Sequence, residues 1–166
     1  MNDVDILKKI EKKVLWLACW MIHNANHIRE NQDGLKVGGH QASSASIVSI
    51  MTALYFSVLR PEDRVAVKPH ASPVFHAIQY LSGLQTKEKI QNFRGFGGAQ
   101  SYPSRTKDID DVDISTGSVG LGVAMTSFIS LIQDYVARKK FYKNKPLGRM
   151  IALVGDAELD EGNVYE

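Results

Sequence analysis

The residues best suited to chemistry stand where apolar runs give way to polar turns. Met150 to Val154 is an uncharged run, and it leads at once into Gly155-Asp156-Ala157-Glu158-Leu159-Asp160-Glu161. A carboxylate just past a strand suits a hard cation: Mg²⁺ takes one or two carboxylates, several waters and phosphate oxygens from a ligand. A small neighbour lets an anionic ligand approach the backbone, and the start of a following helix offers N–H donors. The same acids can equally serve only as helix caps. Upstream lies a glycine loop, Ser115-Thr116-Gly117-Ser118-Val119-Gly120-Leu121-Gly122. It has no P-loop lysine and no downstream acid spaced for a dinucleotide, so ligand approach and tight helix packing are both open. His40 and His70 sit at element boundaries, in GGHQASS and KPHASP, where an imidazole can donate to phosphate or shuttle a proton; each is also compatible with a plain surface loop. His23, His27 and His76 fall within helical patterns, which favours packing or solvent exposure. The acidic run Asp108 to Asp113 lacks the glycine and the terminal glutamate of an EF-hand loop and reads as a solvated loop.

These groups need elements to hold them. Ile6, Leu7, Ile10, Val14, Leu17 and Met21 recur at helical spacing, predicting a helix from about Val4 to Glu30. A second helix is expected from Ser44 to Leu59, capped by Ser43 or Ser44. Arg64 to Lys68 reads as a short strand, followed by a loop over Pro69 to Pro73 and a helix from Val74 to Leu81. Thr86 is placed to cap a short helix ending near Phe93. Arg94 to Asp113 is long, polar and irregular, a kind of loop that is uncommon and often functional. The glycine loop opens a helix running to about Tyr142, and Met150 to Val154 is a buried strand. Helices alternating with short apolar strands imply an α/β fold, a parallel sheet flanked by helices.

Composition narrows the field. With 166 residues, 44% hydrophobic content and 23% charged content, the chain can build one ordinary core. A net charge of +2 gives no electrostatic case for nucleic acid. The single cysteine, Cys19, excludes an internal disulfide and is expected in the core. Val14 to Ile22 and Ile114 to Gln133 are the most apolar segments; both read as soluble core rather than membrane or export signals. No targeting signal is visible, so the expected compartment is the cytoplasm and no membrane partner is expected.

The order of the pieces carries more than any one of them. GGHQASSAS, PHASPVFHA, FRGFGGAQSYPS, STGSVGLGVA and ALVGDAELDEGN follow one another between about Gly38 and Glu161. In that order they resemble the thiamine-diphosphate-binding domain of the transketolase superfamily. HASP, NFR with a following SYP, and GD-x-E-x-DE are similar to its homodimeric pyruvate dehydrogenase branch. The resemblance implies thiamine diphosphate and Mg²⁺ as cofactors, with Asp156 as metal ligand. It places Gly155, Ala157 and Glu158 beside the diphosphate, and His40 and His70 near the diphosphate and the reacting carbon as catalytic groups. It gives Ser43 a cofactor contact and sets Gly117 and Val119 against the aminopyrimidine.

Two departures stand out: Ala157 replaces the usual second glycine, and Ser104 stands where a third histidine is common. The rest of the family's metal site is expected further along a longer chain. The resemblance therefore implies residues 1–166 to be an incomplete, N-terminal diphosphate-binding domain, with 1–33 as a helical segment. Such a piece is expected to be inactive alone and to pair as a homodimer or with a complementary C-terminal chain. The implied activity is decarboxylation of a 2-oxo acid such as pyruvate, with acyl transfer to a lipoyl acyltransferase. Ketol transfer between sugar phosphates, and a non-catalytic interaction module, are the alternatives.

Overall fold

A computed structural model describes residues 3–31, 34–141 and 146–165. Helix α1 (Asp3–His23) buries Val14, Leu17, Ala18, Met21 and Ile22, the stripe that helical periodicity requires, and it continues into a π-turn, Asn24–Ile28. Asp3 and Asp5 lie in its first turn, where the helix dipole favours acids. Helix α2 (Gln41–Ala53) ends in a second π-turn, Leu54–Val58. It buries Ser44, Ile47, Val48, Met51 and Thr52. Its cap is His40, in extended backbone and without a side-chain cap bond, rather than Ser43 or Ser44. The helix starts earlier than expected, which turns Ser44 inward, where its Oγ has no partner.

Strand β1 (Arg64–Ala66) is followed by a 3₁₀ turn, Pro69–Ala71, and helix α3 (Ser72–Leu81), so the loop expected to reach Pro73 is already helical. Helix α4 (Lys87–Gln91) is capped as expected: Thr86 Oγ1 accepts from the Lys89 N–H at 3.3 Å. Helix α5 (Leu121–Arg138) and strand β2 (Met150–Ala152) complete the order. The expected helix end at Tyr142 and the expected segment end at residue 33 lie outside the described residues.

The sheet is parallel, with Arg64, Val65 and Ala66 opposite Met150, Ile151 and Ala152. Parallel strands need a long crossover, and α3, α4 and α5 lie within it. The strand starts are clamped by Asp63. Its buried carboxylate accepts from the Arg60 N–H (3.0 Å), the Arg149 N–H (2.7 Å) and the Arg149 guanidinium. These bonds hold Asp63 well below the usual carboxylate range. A side chain at Gly148 would collide with the Glu62 carbonyl, so only glycine permits this approach. The core sits between α1, α2 and α3 and is closed by Val65, Phe93 and Val112.

Three expectations are corrected here. The acidic run is not a solvated loop. Asp110 is buried and accepts from His76 Nδ1 and Gln85 Nε2, while His76 Nε2 donates to the Gln100 carbonyl at 2.7 Å. Asp108 accepts from the Gln100 and Ser104 N–H groups, and Asp113 from the Val65 N–H. The acids thus stand in for strand and helix bonds across the long irregular segment. Cys19 is half-buried and outside the core cluster. Of the second apolar segment, Ile114 is buried, but α5 buries only Thr126. One side of α5 rests on the two strands. Met125, Phe128, Leu131, Ile132 and Tyr135 are exposed, because no described layer covers the other side.

Candidate functional site

Both strands end on one side of the molecule, where parallel sheets collect ligands. After β1, Lys68 enters the 3₁₀ turn that carries His70. His40 arrives from the α2 entry loop, and the two imidazoles meet with ring centroids 4.7 Å apart and planes tilted by 42°. Both are exposed. The His70 ring nonetheless loses part of its hydration to its neighbours; that desolvation, then the fields of His40, Lys68 and Arg94, push its proton affinity down, and the Glu158 carboxylate opposes them.

After β2 the chain passes through Gly155 and Asp156 into the 3₁₀ turn Ala157–Asp160. Glu158 is buried, and its Oε2 accepts from the Gly155 N–H at 2.8 Å. A Cβ at Gly155 would stand 3.5 Å from that oxygen and 3.8 Å from Lys68 Nζ, so Gly155 adjoins both strand ends. Asp156 and Ala157 are exposed. Ser43 is half-buried in the first turn of α2, and its carbonyl accepts from Ser46 Oγ.

The glycine loop reaches the site from the other side. Gly120 has φ 77° and caps α5; a side chain there would press on Val164, Asn163 and Glu161. Asn163 Nδ2 donates to the Val119 carbonyl at 2.9 Å, tying the loop to the segment after the acid cluster. Gly122 lies against Ala66 of β1, 3.3 Å from a built Cβ. Gly117 is half-buried and Val119 exposed. The structure thus joins His40 to His70 and Gly155 to Glu158, with Lys68, two residues before His70, against Gly155. Val119 and its loop are joined to the 161–164 turn instead, and Ser43 and Asp156 stand near the group without a side-chain bond to it.

Two contributors escaped the sequence reading. Lys68 is the cation nearest the Gly155 turn, and its signal was its place one residue beyond an apolar strand. Arg94 comes from the long irregular segment, where no periodicity marks a side chain's direction.

The donor set fits a diphosphate and a divalent cation. His40 and His70 offer imidazole nitrogens, Lys68 offers N–H donors and positive charge, Gly155 offers close backbone approach, and Asp156 offers an exposed carboxylate. Among the described residues no cluster of three or more metal-ligating side chains is present.

Known proteins share the sequence. The chain is 27% identical over 171 residues to the pyruvate dehydrogenase E1 component of Mycolicibacterium smegmatis, covering 96% of the chain and 18% of that protein. The E1 component of Escherichia coli is 26% identical over 169 residues with the same coverage. Transketolase-like protein 2 of Mus musculus is 30% identical over 139 residues, 77% of the chain and 21% of that protein. The chain thus spans about a fifth of the length of these relatives. The pattern of the transketolase thiamine diphosphate binding domain matches residues 37–166, most of the chain, which therefore belongs to that family.

Proposed function

We propose that the chain supplies the diphosphate half of a thiamine diphosphate site in an enzyme that decarboxylates a 2-oxo acid such as pyruvate. The acyl group would pass to a lipoyl acceptor. The observation that carries this reading is the meeting of His40 and His70 beside Gly155 and Glu158 at the carboxyl ends of two parallel strands.

When bound, thiamine diphosphate supplies the carbanion chemistry; the protein binds and orients it. His40, His70 and Lys68 would hold the diphosphate and would stabilise charge on a substrate oxygen. Asp156 holds Mg²⁺. Glu158 is committed to the Gly155 N–H and fixes the turn that presents Asp156. Ser43, Gly117, Val119 and Ala157 border the cofactor.

The exposed residues of α5 support a second copy of this chain as partner. Leu121, Met125, Phe128, Ile132 and Tyr135 follow a four-three spacing along one stripe. An antiparallel neighbour would set Arg138 and Lys139 of one copy toward Asp160 and Glu161 of the other.

Ketol transfer between sugar phosphates is the second reading, favoured by the 30% match to a transketolase-like protein. The coverage of 96% by the pyruvate dehydrogenase relatives, against 77%, supports the first. Calorimetric titration of the assembled enzyme with thiamine diphosphate and Mg²⁺ tests the cofactor site, with Asp156→Ala as control. Micromolar binding, about 8 kcal/mol, that vanishes in the variant is expected. No binding by the assembled enzyme refutes the reading. Turnover of pyruvate against xylulose 5-phosphate in the assembled enzyme separates the two activities.

A further inference from the structure

A second pair of imidazoles has no part in the reading above. His23 closes α1 and His27 lies in the π-turn that follows; their ring centroids are 4.9 Å apart, their planes are tilted by 31°, and both are exposed. They open onto a cavity of about 280 Å³ lined by His23, Asn26, His27, Lys36, Gln41 and the Gly38–Gly39 turn. Neither His40 nor His70 lines it.

The walls of this cavity are fixed by bonds of their own. Asn26 commits its amide to the Ile22 and Gly38 carbonyls and its Oδ1 to the Gly38 N–H. Gln41 Nε2 donates one N–H to the Cys19 carbonyl at 3.3 Å and has a second to give. The side chains of His23, His27 and Lys36 have no such duty: among the described residues they enter no hydrogen bond and no ion pair. No carboxylate or thiol lines the cavity, so a metal ion would meet two imidazoles and an ammonium of its own charge sign. An anion would meet only donors. Each imidazole carries an N–H in either protonation state, Lys36 adds three with a full charge, and Gln41 adds its amide. Four donor groups exceed what the two oxygens of a carboxylate use and suit the three acceptor oxygens of a phosphate group.

We propose that this cavity binds the phosphate group of a small molecule, held by His23, His27 and Lys36 against the Gly38–Gly39 turn. Its occupant lies against the turn that leads into His40, beside the strand-end site and outside it. Inorganic phosphate and a phosphate monoester share this chemistry, and the test separates them.

The assembled enzyme, with thiamine diphosphate and Mg²⁺ present, is treated with diethylpyrocarbonate, and modification of each histidine is read by mass spectrometry. Inorganic phosphate, glycerol 3-phosphate, acetate and chloride are compared at equal ionic strength. Modification of His23 and His27 is expected to slow at least about fivefold at saturation with a phosphate ligand. Slowing by glycerol 3-phosphate alone assigns the site to an organic phosphate, and slowing by both assigns it to the phosphate group itself. No slowing by either, or equal slowing by acetate or chloride, overturns the proposal. So do rings that are unreactive without ligand, because the cavity is then covered in the assembly, and slowing by Zn²⁺ with none by phosphate. His23→Ala with His27→Ala, and Lys36→Met, change exposed side chains and are expected to fold. In each, calorimetric titration should show phosphate affinity at least about tenfold weaker, with thiamine diphosphate affinity within about twofold of native. Native phosphate affinity in both variants overturns the proposal.

Discussion

Gly155→Ala separates the needs of the fold from those of the ligand. An added Cβ would stand 3.5 Å from Glu158 Oε2 and 3.8 Å from Lys68 Cδ and Nζ, ordinary van der Waals contacts. Gly155 does not have left-handed backbone. The folded chain therefore accepts the methyl, while the unfolded chain loses freedom, a gain of about 0.4–1 kcal/mol. For a chain of this length that raises Tm by roughly 1–4 °C. The same methyl occupies the surface between Lys68 and the Asp156 turn, where the diphosphate would rest. Cofactor affinity should fall at least tenfold, about 1.4 kcal/mol. Gly98→Ala supplies the contrast: its Cβ would fall 1.7 Å from the Asn92 carbonyl oxygen. Backbone must move there, at a cost of about 1–3 kcal/mol or more. Thermal melts followed by circular dichroism, with calorimetric titration of thiamine diphosphate and Mg²⁺, read both effects. Native affinity in Gly155→Ala, or a melt well below native, would refute the reasoning.

Three further outcomes are expected. Because the folded state lowers the His70 proton affinity, its contribution to stability is complete above its unfolded pKa near 6.5 and declines as pH falls through the folded value. A bound diphosphate should reverse the shift, so thiamine diphosphate binding should take up protons; calorimetry in buffers of different ionisation enthalpy would show none if His70 stays apart from the ligand. His76→Ala leaves the buried Asp110 carboxylate without its imidazole and should cost about 3–5 kcal/mol, whereas the double change His76→Leu with Asp110→Leu should recover much of that; equal melts for single and double variants would count against the pair. The proposed pairing through α5 requires the native chain to sediment as a dimer and Phe128→Glu with Ile132→Glu to sediment as a monomer without lowering Tm; an unchanged sedimentation coefficient would remove α5 as the contact.

The sequence made local structure legible where one stretch of chain decides it. The stripe of α1, the Thr86 cap and the short strand after Pro61 each follow from neighbours within a turn or two. Placing His40 and His70 together was legible only through the order of motifs, since nothing local relates residues thirty positions apart. The acidic run shows the opposite case. Asp110 is buried because Gln85 and His76, far upstream, supply its donors, and no spacing within the run encodes that. The apolar content of α5 predicts burial correctly only if a covering layer exists. Its exposed stripe is a fact about neighbours, not about the helix.

The placement of His40 also depends on a part of the chain outside the matched family pattern of residues 37–166. Asn26, in the π-turn that ends α1, donates to the Gly38 carbonyl at 2.9 Å and accepts from the Gly38 N–H at 2.9 Å. Arg94 grips the Val37 carbonyl from the other side. Gly38 and Gly39 have φ of 78° and 126°, and a Cβ on Gly39 would meet Ile22 at 3.0 Å. The loop can therefore lie this close to α1 only with glycine at both positions. The π-turn matters because the widened turn directs Asn26 at the loop while its amide still donates to the Ile22 carbonyl. The N-terminal helix thus belongs to the site: it fixes the loop that sets His40 against His70. A second-copy contact through α5 would act on the same site from its opposite edge, through Gly120 and the 161–164 turn.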